Sequence, residues 1–163
     1  MTVLRKDPLL VGSLRYNRLT EKIDVTKVLW WNKEPCVLTN KGRKALRYFF
    51  EKYYGLFNES VMDDALDLEA YSKEYHPICE YLETLEWDGK ERIRNVLKVY
   101  MGADDSDMVY EMLKHFMMGA LNRIYCPGCK FDEMLCLVGQ QGAGKSTFFR
   151  FLALDDQWFS DSL

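Results

Sequence analysis

Long apolar runs are missing from this sequence. No stretch approaches the roughly 18 residues that cross a bilayer, and the N-terminal residues lack the charged and then apolar pattern of a secretory signal. Hydrophobic residues make up 48% and charged residues 29% of the 163 residues, which is ordinary for a soluble chain large enough to bury a core. These observations predict a cytoplasmic protein with no membrane partner.

The cysteines do not complete a metal motif or a disulfide set. Five is an odd number in a chain without a signal segment, so reduced thiols are expected. Cys126-Pro127-Gly128-Cys129 is half of a common zinc motif, and the other half is missing, although His115 and Cys136 are candidates for it. Because Pro-Gly is turn chemistry in itself, a structural turn is the preferred interpretation and zinc the alternative.

Charge is unevenly distributed along the chain. Residues 1–54 contain 12 Lys and Arg against 5 Asp and Glu, whereas residues 55–163 contain 10 against 20. Residues 59–88 are the most acidic part, with ten acids and one base. Such asymmetry indicates either different partners for the two parts or attraction between them.

A helix predicted from residue 40 to residue 54 combines an apolar stripe with basic residues, and Gly55 is its expected end. A basic face of this kind can lie against a nucleic-acid backbone, where each Lys or Arg side chain displaces a condensed counterion. A solvated face over an aromatic core is the simpler interpretation and the preferred one. The bases are Lys41, Arg43, Lys44, Arg47 and Lys52.

The next predicted helix, residues 60–75, is acidic. Asp63 and Asp67 stand four residues apart with Asp64 beside them, which is one arrangement of oxygen ligands for a metal. Acids in the first turn also stabilise a helix through its dipole. The dipole explanation needs no metal and is preferred.

A glycine-rich loop follows an apolar segment near the end of the sequence. Residues 139–146, Gly-Gln-Gln-Gly-Ala-Gly-Lys-Ser, match the pattern G-x-x-x-x-G-K-[ST] at every required position. Met134–Val138 supplies a predicted strand and Thr147–Leu152 a predicted helix, which is the context that a phosphate-binding loop requires. A glycine-rich turn with an exposed lysine is the alternative, but such a turn does not require Lys followed by Ser.

The residue types in this loop suit a nucleoside triphosphate with its magnesium ion. Glycines let backbone N–H groups approach phosphate oxygens, and the following helix adds about half a positive charge. Lys145 is the predicted catalytic residue, reaching the β- and γ-phosphates, while the Ser146 hydroxyl ligates Mg²⁺. The predicted cofactors are ATP and Mg²⁺, and the predicted nucleotide-binding residues are Gly139, Gln140, Gln141, Gly142, Ala143, Gly144, Lys145, Ser146 and Thr147.

The whole pattern predicts an α+β fold. Residues 14–31 contain two β-rich runs around a polar turn at residues 18–21, which predicts a small β-hairpin in a mainly α-helical N-terminal region. The predicted division is an α+β region at residues 1–75, a helical region at 76–130, and the start of a P-loop α/β NTPase domain at 131–163.

This nucleotide domain is predicted to be incomplete within the 163 residues. The segment Met134–Val138 is apolar throughout, as in a parallel strand covered on both faces, and a stable sheet needs about three strands. Hydrolysis also needs an acid at a strand end and usually an arginine that stabilises the developing charge. Asp155-Asp156 follows a helix instead. We therefore expect the N-terminal part of a longer ATPase, inactive by itself.

The loop, a Trp-Asp-Gly turn and their spacing resemble the virulence-associated protein E family, P-loop proteins of phages, plasmids and genomic islands related to primase-helicases. The most distinctive stretch runs from His76-Pro77 through Trp87-Asp88-Gly89 to Arg92. Residues 125–132, Tyr-Cys-Pro-Gly-Cys-Lys-Phe-Asp, are similar to the passage into the family's ATPase core, as are residues 158–163 beyond the loop.

This resemblance implies an ATP-driven, helicase-like motor, a homo-oligomeric ring that acts on DNA during replication of a mobile element. Only Gly139–Ser146 carry over as nucleotide-binding positions. The family's Walker B acid, sensor and arginine finger have no counterparts in these residues. Two other functions are open: a DNA- or partner-binding module with an inert loop, and a small-molecule kinase, although such kinases usually place this loop much nearer the N terminus.

Overall fold

The structure is a computed structural model that describes residues 1–160. Over those residues the protein is α+β, with seven α-helices, one 3₁₀ turn and a three-stranded antiparallel sheet. It divides into two compact units, Met1–Leu85 and Glu86–Leu163. The three-part division expected from the sequence stays a prediction. Residues 161–163, which contribute to the family resemblance, lie outside the described part.

The first unit contains the sheet and four helices. The predicted helices at 40–54 and 60–75 are present, the second of them shorter than expected. The elements in chain order are α1 (Thr2–Lys6), β1 (Leu14–Asn17), β2 (Lys22–Val25), β3 (Cys36–Val37), α2 (Asn40–Tyr54), α3 (Glu59–Tyr71) and α4 (Pro77–Glu83).

The predicted hairpin is confirmed as β1 and β2, which pair from Asn17 and Lys22 at the turn. The Asn17 side-chain oxygen accepts hydrogen bonds from the backbone N–H groups of Leu19 and Thr20, at 3.0 and 3.2 Å. This is the local bonding that favours Asn in turns. Strand β2 ends at Val25, although the sequence predicted a longer run, and it pairs with the unpredicted strand β3.

Asn32 explains why the second β-rich run does not continue. Its side-chain oxygen accepts a hydrogen bond from Leu29 N at 2.7 Å, and its amide nitrogen donates to the carbonyl oxygens of Lys27 and Glu34, at 3.0 and 2.7 Å. Backbone groups satisfied in this way do not need a neighbouring strand, so the segment before β3 forms a loop.

One hydrophobic core joins the sheet to α1, α2 and α3. Alternate residues of the hairpin face this core, as the two-residue period of a strand requires, and the two long helices contribute stripes with helical spacing. Its buried side chains are Leu4, Leu10, Leu14, Ile23, Val25, Leu29, Leu46, Phe49, Phe50, Met62, Leu66 and Ala70.

Local chemistry sets most helix ends in the first unit. Gly55 takes a φ of +63° and ends α2, as predicted, because glycine tolerates the left-handed conformation without a Cβ penalty. Asn58 caps α3 by accepting a hydrogen bond from Val61 N at 3.1 Å. His76 caps α4, and Pro77 occupies its first turn.

The second unit is built on three α-helices around a smaller core. These are α5 (Ile93–Met101), α6 (Asp107–Tyr125) and α7 (Lys145–Leu152), followed by a 3₁₀ turn at Asp156–Trp158. Leu97, Leu113 and Phe148 are its buried centre, one from each helix. Within residues 1–160, no helix combines the length and apolar character needed to cross a bilayer.

A close contact between Gly119 of α6 and Phe131 packs the segment that precedes the glycine-rich loop against this helix. A Cβ at Gly119 would lie 2.2 Å from the ring carbon Cζ of Phe131, so the ring occupies the space of a side chain. His115 and Arg123 contact the same ring from one turn to either side. Arg123 also donates a hydrogen bond to the Phe131 carbonyl oxygen at 2.7 Å.

The strand predicted at Met134–Val138 is not confirmed. Leu135 and Leu137 are half-buried against the helical core, whereas Met134 and Val138 are 81% and 98% exposed. A β-strand needs a hydrogen-bonded neighbour, and over residues 130–140 the described chain offers none. The segment therefore buries only one of its faces, against the helical core, although its apolar composition suggested that both faces would be buried.

Candidate functional site

The glycine-rich loop turns sharply at two of its three glycines. Gly142 and Gly144 have φ angles of +83° and +77°, in the left-handed region that glycine adopts most readily. The N–H of Ala143 donates a hydrogen bond to the carbonyl oxygen of Gln140 at 3.3 Å, which closes the turn. Gly139 does not have a positive φ, so its role cannot be conformational in the same sense.

The loop runs directly into the N-terminus of α7. This helix begins at Lys145, two residues earlier than predicted, and no side chain among residues 1–160 caps its first turn. Its first N–H groups therefore point toward the loop without an intrahelical acceptor, and they carry the positive end of the helix dipole. Phe148 is buried in the core of the second unit and holds this end of the helix in place.

Lys145 lies over its own loop. Its Nζ donates hydrogen bonds to the carbonyl oxygens of Gly139 and Gln140, at 2.9 and 2.8 Å. The ammonium group is therefore next to the backbone that would surround a bound anion. Phosphate oxygens would compete with these two carbonyl oxygens for the N–H donors of Lys145. Because the lysine side chain is flexible, it can exchange the carbonyl acceptors for phosphate acceptors.

The remaining predicted site residues lie together at this loop and helix start. Because the site is contiguous in sequence, the structure brings all nine positions to one place. Exposed to solvent are Gly139, Gln140, Gln141, Gly142, Ala143, Gly144, Ser146 and Thr147, whereas Lys145 is partly covered.

An acid downstream of the loop is engaged by α7. The carboxylate oxygens of Asp156 accept hydrogen bonds from Arg150 Nε and Nη2, at 2.6 and 2.7 Å. These hydrogen bonds hold the pKa of Asp156 below its ordinary value. Among residues 1–160, no three His, Cys, Asp or Glu side chains are grouped as ligands for a metal ion.

The Cys126–Cys129 segment is a turn that follows α6. Cys129 N donates a hydrogen bond to the Cys126 carbonyl oxygen at 3.1 Å, and Gly128 has a φ of +84°. The side-chain amide of Asn122 lies 3.3 Å from Cys129 Sγ. The turn interpretation of this motif is confirmed, and its geometry follows from Pro-Gly alone.

In the first unit, arginines from α2 pair with the acidic residues of α3. Arg43 bridges Asp67 at 2.6 Å and Asp63 at 3.4 Å, and Arg47 bridges Asp63 at 3.3 Å and also Glu59. Burial alone would lower the pKa of Arg43, but the two carboxylates outweigh burial and raise it. The positions considered for a metal therefore receive arginine cations, and the attraction suggested by the uneven charge is present here.

An apolar groove beside the loop was not foreseen from the sequence. It has a volume of about 520 Å³ and lies between α5 and α7. Val96 and Tyr100 line it from α5, one helical turn apart, and Thr147 and Phe151 line it from α7. The only sequence signal was the spacing of these residues, which is equally typical of an ordinary core.

Comparison with known proteins places the chain in a family. A search of curated proteins returned no match. Residues 82–163, half of the chain, match the model of the virulence-associated protein E-like domain. The matched range contains the Trp87-Asp88-Gly89 turn, the Cys126–Cys129 turn and the complete glycine-rich loop. The chain therefore belongs to the virulence-associated protein E-like family.

Proposed function

We propose that this chain binds Mg-ATP through residues 139–147 and serves a helicase-like ATPase that works on DNA during replication of a mobile element. The observation that supports this most strongly is the loop itself. Two left-handed glycines lead into a helix N-terminus, and Lys145 lies on the loop carbonyls at 2.8–2.9 Å. Together these groups form an anion cradle.

Each part of the cradle has a task in this proposal. The N–H groups at the start of α7 bind phosphate oxygens, and Lys145 leaves the carbonyls of Gly139 and Gln140 to pair with the β- and γ-phosphates. The exposed Ser146 hydroxyl would hold Mg²⁺, which neutralises phosphate charge when bound. Family membership supports the same function, because the matched range includes this loop.

We propose further that these residues bind nucleotide without hydrolysing it at the rate of a motor. Phosphoryl transfer needs an acid that holds Mg²⁺ or orients water, and Asp156 is instead hydrogen-bonded to Arg150. A homo-oligomeric ring and the DNA structure recognised stay predictions from the family resemblance.

Calorimetric titration of the 163-residue chain with Mg-ATP tests the proposal. Lys145→Ala should weaken binding by roughly 10- to 100-fold, which corresponds to the loss of about 1.5–3 kcal/mol for hydrogen bonds from a charged group. Lys130→Ala is the matched control, because Lys130 is an exposed lysine of the same unit paired with exposed Asp132. Absence of binding at millimolar Mg-ATP, or equal binding by both variants, would refute the proposal.

A nucleic-acid-binding first unit is the second candidate, and one observation favours it. Arg43 and Arg47 pair with α3, but Lys41, Lys44 and Lys52 remain on the exposed side of α2. Backbone contacts by these lysines would make binding of single- or double-stranded DNA weaken steeply with salt. Filter binding across a salt series distinguishes the candidates, since a flat salt response excludes such contacts.

A further inference from the structure

The apolar groove between α5 and α7 begins where the phosphate cradle ends. Ala143 and Gly144 line the groove and also belong to the glycine-rich loop. Thr147, two residues into α7, lines it as well. A molecule whose phosphates lie on the loop therefore has an apolar recess beside it.

Two aromatic side chains in this recess are largely exposed. Tyr100 of α5 is 74% exposed and Phe151 of α7 is 77% exposed. Burying a large aromatic surface is favourable, so each of these rings gains from an apolar partner. A volume of about 520 Å³ falls in the range of sites for small organic ligands, about 300–1,000 Å³.

We infer that this groove binds the nucleobase of the nucleoside triphosphate, by apolar contact and stacking on Tyr100 and Phe151. The inference rests on the proposed function, because it places the base of the same ligand whose phosphates bind the loop. A nucleobase is flat and aromatic and is linked through a ribose to the phosphates, so it suits a recess that adjoins an anion cradle.

The chemistry of the groove also sets its selectivity. None of its lining residues, all within residues 1–160, carries a charged side chain, and its polar side-chain groups are the Thr147 and Tyr100 hydroxyls. Strong discrimination between bases needs hydrogen bonds to the base edge, whereas stacking accepts any base because every base has a π-face. The groove should therefore favour nucleotides over bare polyphosphate and distinguish adenine from guanine weakly.

The experiment compares three ligands on the 163-residue chain in the presence of Mg²⁺: ATP, GTP and inorganic tripolyphosphate. ATP and GTP should bind within about tenfold of each other, and both should bind at least about tenfold more tightly than tripolyphosphate. Tyr100→Ala and Phe151→Ala should each weaken the binding of ATP by about 5- to 100-fold and leave the affinity for tripolyphosphate unchanged. Tyr125→Ala is the control, because Tyr125 is an exposed aromatic residue of α6 outside this groove.

The outcomes separate this inference from the proposed function. Equal affinity for ATP and tripolyphosphate would overturn the groove as a base site and leave the phosphate loop intact. Binding of none of the three ligands would overturn both. If Tyr100→Ala and Phe151→Ala leave ATP affinity unchanged but abolish self-association in sedimentation, the groove is an interface between copies of the chain and the inference fails.

Discussion

The Nζ of Lys145 lies 2.8 Å from the carbonyl oxygen of Gln140, five residues earlier in the chain. This contact and its partner at Gly139 close the glycine-rich loop with a side chain that the same loop supplies. Contacts within the chain therefore support the bend of the loop, and the conformational cost of bending it falls at least in part on folding. Variants that disturb the bend should affect both stability and nucleotide affinity.

Gly144→Ala should destabilise the second unit and weaken Mg-ATP binding. Gly144 has a φ of +77° with nothing within 4 Å of an added Cβ, so the cost is backbone strain of about 1–2 kcal/mol and not a steric clash. Gly139→Ala is the control, since its Cβ also meets nothing and its φ is not positive. Thermal denaturation of both variants measures the difference, and equal melting temperatures would contradict the assigned strain.

Gly119→Ala should destabilise the chain only while Phe131 is present. The added Cβ would lie 2.2 Å from the Phe131 ring and displace it from His115 and Arg123. In a protein that already carries Phe131→Ala, the Gly119→Ala change should stabilise the fold by up to about 1 kcal/mol, because alanine is a better helix former than glycine. Urea denaturation of the four proteins gives the coupling energy. Additive effects would show that the contact does not matter for stability.

Glu69→Gln should destabilise the first unit at neutral pH. Glu69 is 2% exposed and lies 2.7 Å from Arg5 Nε and 2.6 Å from Lys73 Nζ. Loss of these charged contacts should cost about 1–3 kcal/mol, and Glu51→Gln, at an exposed carboxylate of α2, should cost little.

The Glu69 contribution should depend on pH. Burial alone would raise the pKa of Glu69, but the Lys73 and Arg5 cations outweigh burial and lower it below 4.5. A carboxylate with a lowered folded pKa stabilises the protein fully above its unfolded pKa and loses this effect as pH falls. The difference in the free energy of unfolding between wild type and Glu69→Gln should therefore narrow below about pH 4.5. A constant difference down to acid unfolding would contradict the role of ionisation.

His76 should make α4 sensitive to mild acid. Its Nδ1 accepts a hydrogen bond from Cys79 N at 3.4 Å, which only the unprotonated nitrogen can do. Burial and then the nearby Arg18 lower the pKa of His76 below 6.5. The cap therefore contributes fully above pH 6.5, the unfolded value, and is lost as pH falls through the folded pKa.

His76→Asn should remove this pH dependence. Asn accepts the same type of capping hydrogen bond and does not titrate, so the melting temperature near neutral pH should change little. His76→Ala removes the cap at every pH and should cost about 1 kcal/mol. Melting temperatures between pH 7.5 and pH 5 compare the three proteins, and a parallel decline in all of them would exclude His76 as the titrating group.

Much of the fold was predictable where neighbouring residues decide the outcome. Gly55 ends α2 in a left-handed conformation, as its sequence context predicted. Gly102 ends α5 in the same way, and Ser106 caps α6 through its own side chain. The β3 pairing and the loop held by Asn32 were not predicted. A two-residue strand is too short to show a period, and the bonds of one side chain to backbone within five residues leave no periodic signal.

The same division applies to the candidate site. Residues 139–147 could be proposed as a site from the sequence because the groups that an anion cradle requires lie within nine consecutive positions. The apolar groove could not be proposed in this way, because Tyr100 and Phe151 come from helices about 50 residues apart and line one groove only through the packing of α5 within its unit.

The sequence by itself determined the hairpin turn, the end of α2 at Gly55 and the bend of the glycine-rich loop, since short-range hydrogen bonds and backbone preferences act within a few residues. Tertiary structure decided what the side chains beyond that range contact. It gave Asp63 and Asp67 an arginine partner, left Met134 and Val138 exposed, and opened a groove beside Gly144. Such contacts depend on which faces pack together, and packing is a property of the whole unit.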